Sequence, residues 1–372
     1  MENSNYVEIG WDELKEKRNE IDSIDDQIVE LLSRRQDIAK SIGKVKENLG
    51  VQVIDLSREK EIIKRLTSKG FHNLGSDSIN RIYSEIFFTA RAAQQKTFVS
   101  YLGPEASFSH QAARRFYGHK AIFQSSYTIE DVFKSVENDD SQFGVVPIEN
   151  SCEGSVGNTL DLFFKYDLKI CAEVFLRIRH NLLSKSDNIN KITKLYSHAM
   201  AFGQCSSWIK THMPSVPVVE VESTAIAAKI AAEITDAAAV GSLEAGFING
   251  LNRIAKNVED NPCNTTRFIV IGKTQAEPTE RDKTSLIFLL SHKPGALYSS
   301  LKPFSERDIN VLKIESRPAG TRKWEYLFFL DIEGHEDDIN VKMAIKEMED
   351  YTVFLKRLGS YPDGGELLDR AT

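Results

Sequence analysis

Apolar residues in the first 96 positions recur with a helical period. Ile21, Ile24, Ile28, Leu31, Ile38, Ile42 and Val45 follow a 3-4 spacing, a heptad seam about four heptads long that asks for a partner helix. The pattern breaks near Leu49-Gly50. Asp55 or Ser57 then caps a second helix to about Ser68, SKGFHNLGS forms a loop, and a third helix runs from about Asp77 to Gln95. A first helix of about 40 residues, about 60 Å long, cannot bury its apolar face within so small a block. The pattern therefore predicts a homo-oligomer, at least a dimer, that pairs the long helices.

From residue 97 to about 272 short apolar runs alternate with helical stretches. FVSYLG (98–103), FGVVPIEN (143–150), KLYSH (194–198), VVEVES (218–223), AAAVGS (237–242) and TRFIVIG (266–272) read as strands. PEASFSHQAARRFYG reads as a helix with Pro104 near its first position. Alternating strands and helices predict an α/β sheet with parallel pairs, whose ligands sit at the carboxyl ends of strands. That directs attention to Gly103, Asn150 and Ser197.

KTQAEPTERDKT (273–284) is a polar linker, after which the pattern reads βαββαβ, a ferredoxin-like α+β arrangement. DGGELLDRAT at the end reads as a mobile tail. The chain is thus multidomain, with boundaries at 1–96, 97–273 and 284–362.

Composition narrows the function classes. A net charge of −7 and a pI near 5.7 exclude the basic field that nucleic acid or an anionic membrane surface requires. Cys152, Cys171, Cys205 and Cys263 lie 19, 34 and 58 residues apart, which supports neither a zinc site nor a disulfide framework. The acidic, polar start is unlike a signal peptide, and no apolar run approaches membrane-spanning length. A cytoplasmic protein is expected.

Several polar residues stand where apolar ones belong. The heptad frame expects an apolar residue at Arg35, and Lys46 lies about three turns further on nearly the same face. Gln94 is in line with Tyr83, Phe87 and Ala90 on the third helix. Long basic side chains can snorkel from a seam, but two cations and an amide on buried stripes would serve a small di-anionic ligand. Arg18 points about 100° away from Arg35 and can reach such a site only in a dimer partner. Asp55, Arg58 and Glu59 cluster at the second helix start, where a capping network is the plain reading. Asn150, Ser197, Gln204 and Thr266 are uncharged hydrogen-bonding residues on loops and strand ends, where turn and cap chemistry is the plain alternative.

RNEIDSIDDQIVELLSRRQDIAKSIGKVK, DLSREKEI and ARAAQQ together resemble the all-helical chorismate mutase domain. By that resemblance Arg18 of a partner chain, Arg35 and Arg58 would hold two carboxylates. Lys46 and Gln94 would flank the ether oxygen, with Asp55 and Glu59 on the hydroxyl side. One departure is Ala90, where that family usually has a small hydroxyl residue four positions before the glutamine. YLGPEASFSHQAA, VVPIENSCEGSVGNTLDLF, LYSHAMAFGQC, VESTAIAA, AVGSLEAG and NTTRFIVIG resemble prephenate dehydratase, which implies a two-lobed, periplasmic-binding-protein-like fold with the site between the lobes. The resemblance implies Thr266 as the hydroxyl donor to the departing ring oxygen, with Asn150, Ser197 and Gln204 positioning the substrate. His110 and His198 are acids by residue type, without such a role in the resemblance. The third block resembles an ACT domain, an amino-acid-binding regulatory module. Gly295-Ala296-Leu297 and Glu315-Ser316-Arg317-Pro318 match its effector segments, with a bulky Tyr298 after the first.

The resemblances imply a bifunctional enzyme of phenylalanine biosynthesis. It would take chorismate to prephenate and on to phenylpyruvate, without cofactor or metal, inhibited by phenylalanine. Two alternatives are a dehydratase whose helical block is an inactive dimeriser, which Ala90 makes conceivable, and a non-catalytic amino-acid sensor. A sensor has no evident need for Thr266.

Overall fold

The computed structural model describes residues 2–49, 53–70, 73–318 and 326–364, with side chains described from residue 11. The break at Gly50, part of the SKGFHNLGS loop and the tail from residue 365 lie outside the described residues. The chain divides into two compact units, residues 1–55 with 62–96 and residues 56–61 with 97–372.

The N-terminal block is helical. Helix α1 spans Glu2–Leu49, α2 Leu56–Thr67, whose first six residues fall in the second unit, and α3 Ser76–Gln94. At 48 residues α1 exceeds the expected length. Its heptad residues remain in solvent: Ile21, Ile24, Ile28, Leu31, Ile38, Ile42 and Val45 are 47–62% exposed. The face turned to α3 is a different stripe, centred on buried Ala39 and Gly43 and edged by Arg35 and Lys46. Opposite it, Ile79, Phe87, Ala90 and Arg91 of α3 are buried. A Cβ on Gly43 would stand 2.8 Å from the Gln94 Cβ, so glycine is what admits α3 here.

The second unit opens with β1 Phe98–Leu102, α4 Phe108–Tyr117, β2 Ile122–Ser126, α5 Ile129–Glu137, β3 Phe143–Asn150, β4 Gly154–Ser155, α6 Gly157–Lys165 and β5 Lys169–Arg177. It continues through β6 Asn181–Ser184, β7 Lys194–Ser197, α7 Ala199–Gln204, α8 Ser206–His212, β8 Val218–Glu220, α9 Thr224–Glu233, β9 Ala237–Gly241, α10 Leu243–Ile248, β10 Asn252–Ala255 and β11 Thr265–Gly272. Strands β2-β1-β3-β11-β5, with β4 beside β3, form one sheet, and β10-β6-β9-β7-β8 form another. The chain crosses between these two lobes at residues 178–180 and returns at 256–264, the double crossing of a two-lobed binding fold.

One expectation needs correction. Pro104 does not open a helix: it follows a cis peptide bond in a turn, and α4 starts at Phe108 behind Ser107, whose hydroxyl accepts from the His110 N–H. The expected parallel pairs are present, β1 with β2 and β3 and β7 with β8 and β9, in sheets that are mixed because β11 returns antiparallel between β3 and β5. A connection that crosses lobes twice brings the last strand home from the opposite direction.

The third block comprises β12 Asp282–Leu289, α11 Ala296–Ser305, β13 Val311–Pro318, β14 Tyr326–Glu333, α12 Ile339–Glu349 and β15 Phe354–Pro362, in sheet order β13-β14-β12-β15. One face packs Leu286, Phe288, Leu330 and Ile332 beneath its own helices. The other contributes Ile287, Leu327, Phe329, Leu358 and Tyr361 to one core with Phe133, Ile148, Phe163 and Ile170 of the first lobe. The expected tail starts tethered, since Asp363 pairs with Lys283 at 2.8 Å and the Gly364 N–H donates to Glu173.

Candidate active sites and effector face

In the helical unit three of the expected residues gather on the α1–α3 face. The Arg35 guanidinium lies over the Phe87 ring, 5.7 Å from its centroid. Lys46 Nζ donates to the Val53 carbonyl at 3.0 Å, and Gln94 Nε2 to the Ala90 carbonyl at 3.2 Å. Among the described residues, Arg35 Nη1, Gln36 Oε1 and Gln94 Oε1 are buried without a hydrogen-bond partner. Such atoms are costly to leave unsatisfied; one donor and two acceptors stand open to a polar partner. Arg18 is exposed, 17 residues and about 25 Å back along α1. Asp55 precedes α2, Arg58 pairs with Glu61, and Glu59 lies in the first turn of α2.

In the two-lobed block a chain of hydrogen bonds crosses from one lobe to the other. Asn150 Nδ2, at the end of β3, donates to Thr266 Oγ1 at 2.8 Å and to Asn264 Oδ1 at 2.9 Å. Asn264 Nδ2 donates to Gln204 Oε1 at 2.9 Å, which also receives His180 Nε2 at 3.1 Å. Asn150 Oδ1 accepts the N–H groups of Cys152 and Glu153, which fixes the orientation of the side-chain amide. Three expected residues, Asn150, Gln204 and Thr266, thus lie in one network.

Ser197 does not join it. Its fully buried hydroxyl donates to the Val240 carbonyl at 2.7 Å, tying β7 to β9. His198 caps α7, its Nδ1 accepting the Met200 N–H. His110 Nδ1 accepts the N–H of Ala106, a residue held in the left-handed region at φ 65°, and its ring stacks on Tyr101. Its work is to hold a strained turn.

Sequence reasoning missed Asn264 and His180, both at the lobe crossings. The Ile178 N–H donates to the Asn264 carbonyl, the Val258 N–H to the His180 carbonyl, and the His180 N–H to Glu259. Burial pushes the His180 pKa down, against the Gln204 hydrogen bond and the Glu259 charge, and Nε2 is the ring nitrogen that faces Gln204 Oε1. The signal was an amide in NTTRF two residues before the expected donor.

The effector segments divide by strand geometry. Gly295, at φ 79°, precedes α11, with Ala296 half-buried and Leu297 and Tyr298 exposed. Along β13, Ser316 and Pro318 face solvent with Leu312 and Ile314, whereas Lys313, Glu315 and Arg317 turn to the first lobe. Ser155 Oγ donates to Glu315 at 2.9 Å, Lys313 pairs with Glu149 at 2.8 Å, and Arg317 pairs with Asp161 at 3.1 Å. A Cβ on Gly157 would fall 1.5 Å from Arg317 Nη1. Four adjacent residues expected to serve one ligand therefore serve two faces.

Comparison with known proteins gives matches in the same order. Residues 17–95 match the family model for chorismate mutase type II, 99–276 that for prephenate dehydratase and 284–350 that for the ACT domain. The bifunctional chorismate mutase/prephenate dehydratase of Aquifex aeolicus is 44% identical across 94% of this chain and 98% of its own length. That of Stutzerimonas stutzeri is 39% identical with the same coverage. Among solved structures, a prephenate dehydratase from Arthrobacter aurescens in complex with L-Phe is 30% identical, with a TM-score of 0.67 over 72% of this chain and 91% of that one.

Proposed function

The chain belongs to the bifunctional chorismate mutase/prephenate dehydratase family, and from that premise we propose which of its residues perform the two reactions. The enzyme rearranges chorismate to prephenate, then dehydrates and decarboxylates prephenate to phenylpyruvate, with phenylalanine as feedback inhibitor.

The rearrangement needs neither proton transfer nor a covalent intermediate. It needs selection of the folded conformer and stabilisation of negative charge on the ether oxygen. Arg35 binds a carboxylate, while Lys46 and Gln94 flank the ether oxygen. The unsatisfied buried atoms of Arg35 and Gln94 support this reading. The family resemblance adds Arg58 to the carboxylate set and Asp55 and Glu59 to the hydroxyl side. Arg18 serves from a second copy. The exposed heptad stripe of α1 supports that dimer, because a seam this apolar asks for a partner helix.

The dehydratase step loses carbon dioxide and the ring hydroxyl together, and aromatisation drives it. The departing oxygen needs a proton donor. Thr266 is that donor: Asn150 occupies its oxygen from one side, which leaves the hydroxyl hydrogen to point at substrate. A threonine hydroxyl is a very weak acid, so it acts as an oriented donor relaying from water. Asn150 and Gln204 position the substrate, and Ser197 supports them by holding β7. Gly295–Leu297 and the outward side chains of β13, Ser316 and Pro318, receive phenylalanine. Four free thiols suit a reducing, cytoplasmic setting.

The observation that carries the dehydratase assignment is the Asn150–Thr266 hydrogen bond at 2.8 Å, on strands that pair Thr266 with Asn150. Phenylpyruvate formation, measured separately from chorismate and from prephenate, with and without phenylalanine, tests the whole reading. Product from prephenate alone would make the helical unit a dimeriser, and product from neither would overturn the assignment.

A further inference from the structure

Strand β11 carries two adjacent residues that face opposite ways, as consecutive residues on a strand must. Thr266 faces the hydrogen-bond chain of the dehydratase site. Arg267 faces the ferredoxin-like module and is 7% exposed. Its Nε donates to Glu173 on β5 at 2.7 Å, Nη1 to Asp331 on β14 at 2.6 Å, and Nη2 to the Tyr361 hydroxyl on β15 at 2.9 Å. Ser285 on β12 donates to the other Asp331 oxygen and lies 2.6 Å from the Tyr361 hydroxyl. Lys283, also on β12, pairs with the second Glu173 oxygen at 2.7 Å. Three of the four module strands thus contribute to the grip on one guanidinium.

Apolar packing already joins the two blocks in a shared core, so adhesion does not call for a buried ion set. Such sets are expensive to desolvate, and their best-attested use is to fix one arrangement among several. What this one fixes lies beside the reaction. The register of β11 against β3 shifts between Arg267 and Phe268, because β3 carries an extra residue, Ile148, opposite that step, one residue beyond Thr266. Bulges of this kind re-aim side chains next to active sites.

We propose that Arg267 is a positioning residue. Its guanidinium, gripped by Asp331 and Tyr361 of the regulatory module, sets the orientation of β11 where it passes the bulge in β3, and with it the direction of the Thr266 hydroxyl. An effector that favours a different placement of the module acts on the dehydratase through this strut, by differential binding to the two placements. The inference rests on Thr266 as the donor.

The test uses the full-length chain with Tyr361→Phe, which removes one acceptor from Arg267 without changing charge, and with Asp331→Asn. Turnover of prephenate, inhibition by phenylalanine, phenylalanine binding by calorimetry and mutase turnover are measured on each. Tyr361→Phe is expected to lower kcat for prephenate about tenfold, the loss of one hydrogen bond to a charged group, with KM within about twofold. Maximal inhibition by phenylalanine should fall severalfold while calorimetric affinity and mutase turnover stay as in the parent. If Asp331→Asn does not fold, Tyr361→Phe decides alone. Parental kcat and parental inhibition in Tyr361→Phe, or a change confined to KM, overturns the proposal. Thr266→Ala separates the two readings: full prephenate turnover there would remove Thr266 as donor, whatever the strut variants do.

Discussion

Asn150 gives its amide hydrogen to the oxygen of Thr266 at 2.8 Å, and among the described residues the Thr266 hydroxyl donates to no acceptor. One of the oxygen's two lone pairs is thereby taken, and the hydroxyl hydrogen is left to donate. Thr266→Ala should therefore lower kcat for prephenate by about 10²–10³-fold, the usual cost of losing one pre-aimed donor. Thr266→Ser should retain most of the rate, and chorismate consumption should be unaffected in both. Steady-state assays of the two activities on the same preparation check this, and equal loss of both would assign Thr266 a structural role.

Gly43 offers a test of the helical site that leaves its charges in place. A Cβ there would meet the Gln94 Cβ at 2.8 Å and its Cγ at 2.9 Å. Both are close to the backbone of α3, so a rotamer change at Gln94 cannot relieve the contact. Gly43→Ala should push α3 from α1 and displace Gln94, lowering mutase turnover at least about tenfold despite alanine's better helix propensity. Turnover equal to the parent would show that Gln94 has no part in catalysis.

Much of this was legible in the chain, and the omissions have physical causes. Arg35 and Lys46 declared themselves by breaking an apolar stripe. Seeing that the α3-facing stripe and the heptad seam are separate required the burial of Ala39 and Gly43, small residues that carry little periodic signal. Asn264 and His180 were missed because their importance arises where the chain crosses between lobes, 84 residues apart in sequence. No local pattern reports a contact of that span. Ser197 was selected as a polar residue ending a strand, and the structure uses its hydroxyl to bind β7 to β9. Glu315 and Arg317 belonged to a recognisable motif, yet the two-residue period of β13 turns them away from Ser316 and Pro318.

Acid should destabilise the two-lobed block through its buried histidines. Burial lowers the His180 pKa, with the Gln204 hydrogen bond and Glu259 opposing. Burial also lowers the His110 pKa, with Glu244 opposing, Arg114 reinforcing and Glu105 opposing. In the unfolded chain both titrate near about pH 6.5. Below that value and above the depressed folded pKa the unfolded chain binds more protons, so stability rises with pH in this window. The full contribution is present above about pH 6.5 and is lost as pH falls through the folded values. Urea midpoints at about pH 7.5 and pH 5 should differ less in His180→Gln than in the parent. An identical difference would show that His180 is protonated without cost.

The inward residues of β13 should transmit inhibition without contributing to effector affinity. Arg317 pairs with Asp161 on α6 and fills the space over Gly157, and Glu315 takes the Ser155 hydroxyl. Ser155 in turn lies opposite Glu149, one residue before Asn150. The strand whose outward face carries Ser316, proposed above to receive the effector, therefore holds the loop after Asn150 on its other face. Arg317→Ala removes an ion pair that is partly exposed, so its cost to stability should be small, about 1 kcal/mol or less. Its effect on coupling should be larger. Phenylalanine should bind with an affinity within about threefold of the parent by calorimetry while maximal inhibition of the dehydratase falls, since coupling is a free energy separable from either affinity. Gly157→Ala should act the same way from the other side of the contact, because its new Cβ displaces the guanidinium. Loss of binding in Arg317→Ala would instead return Arg317 to the effector pocket that its motif first suggested.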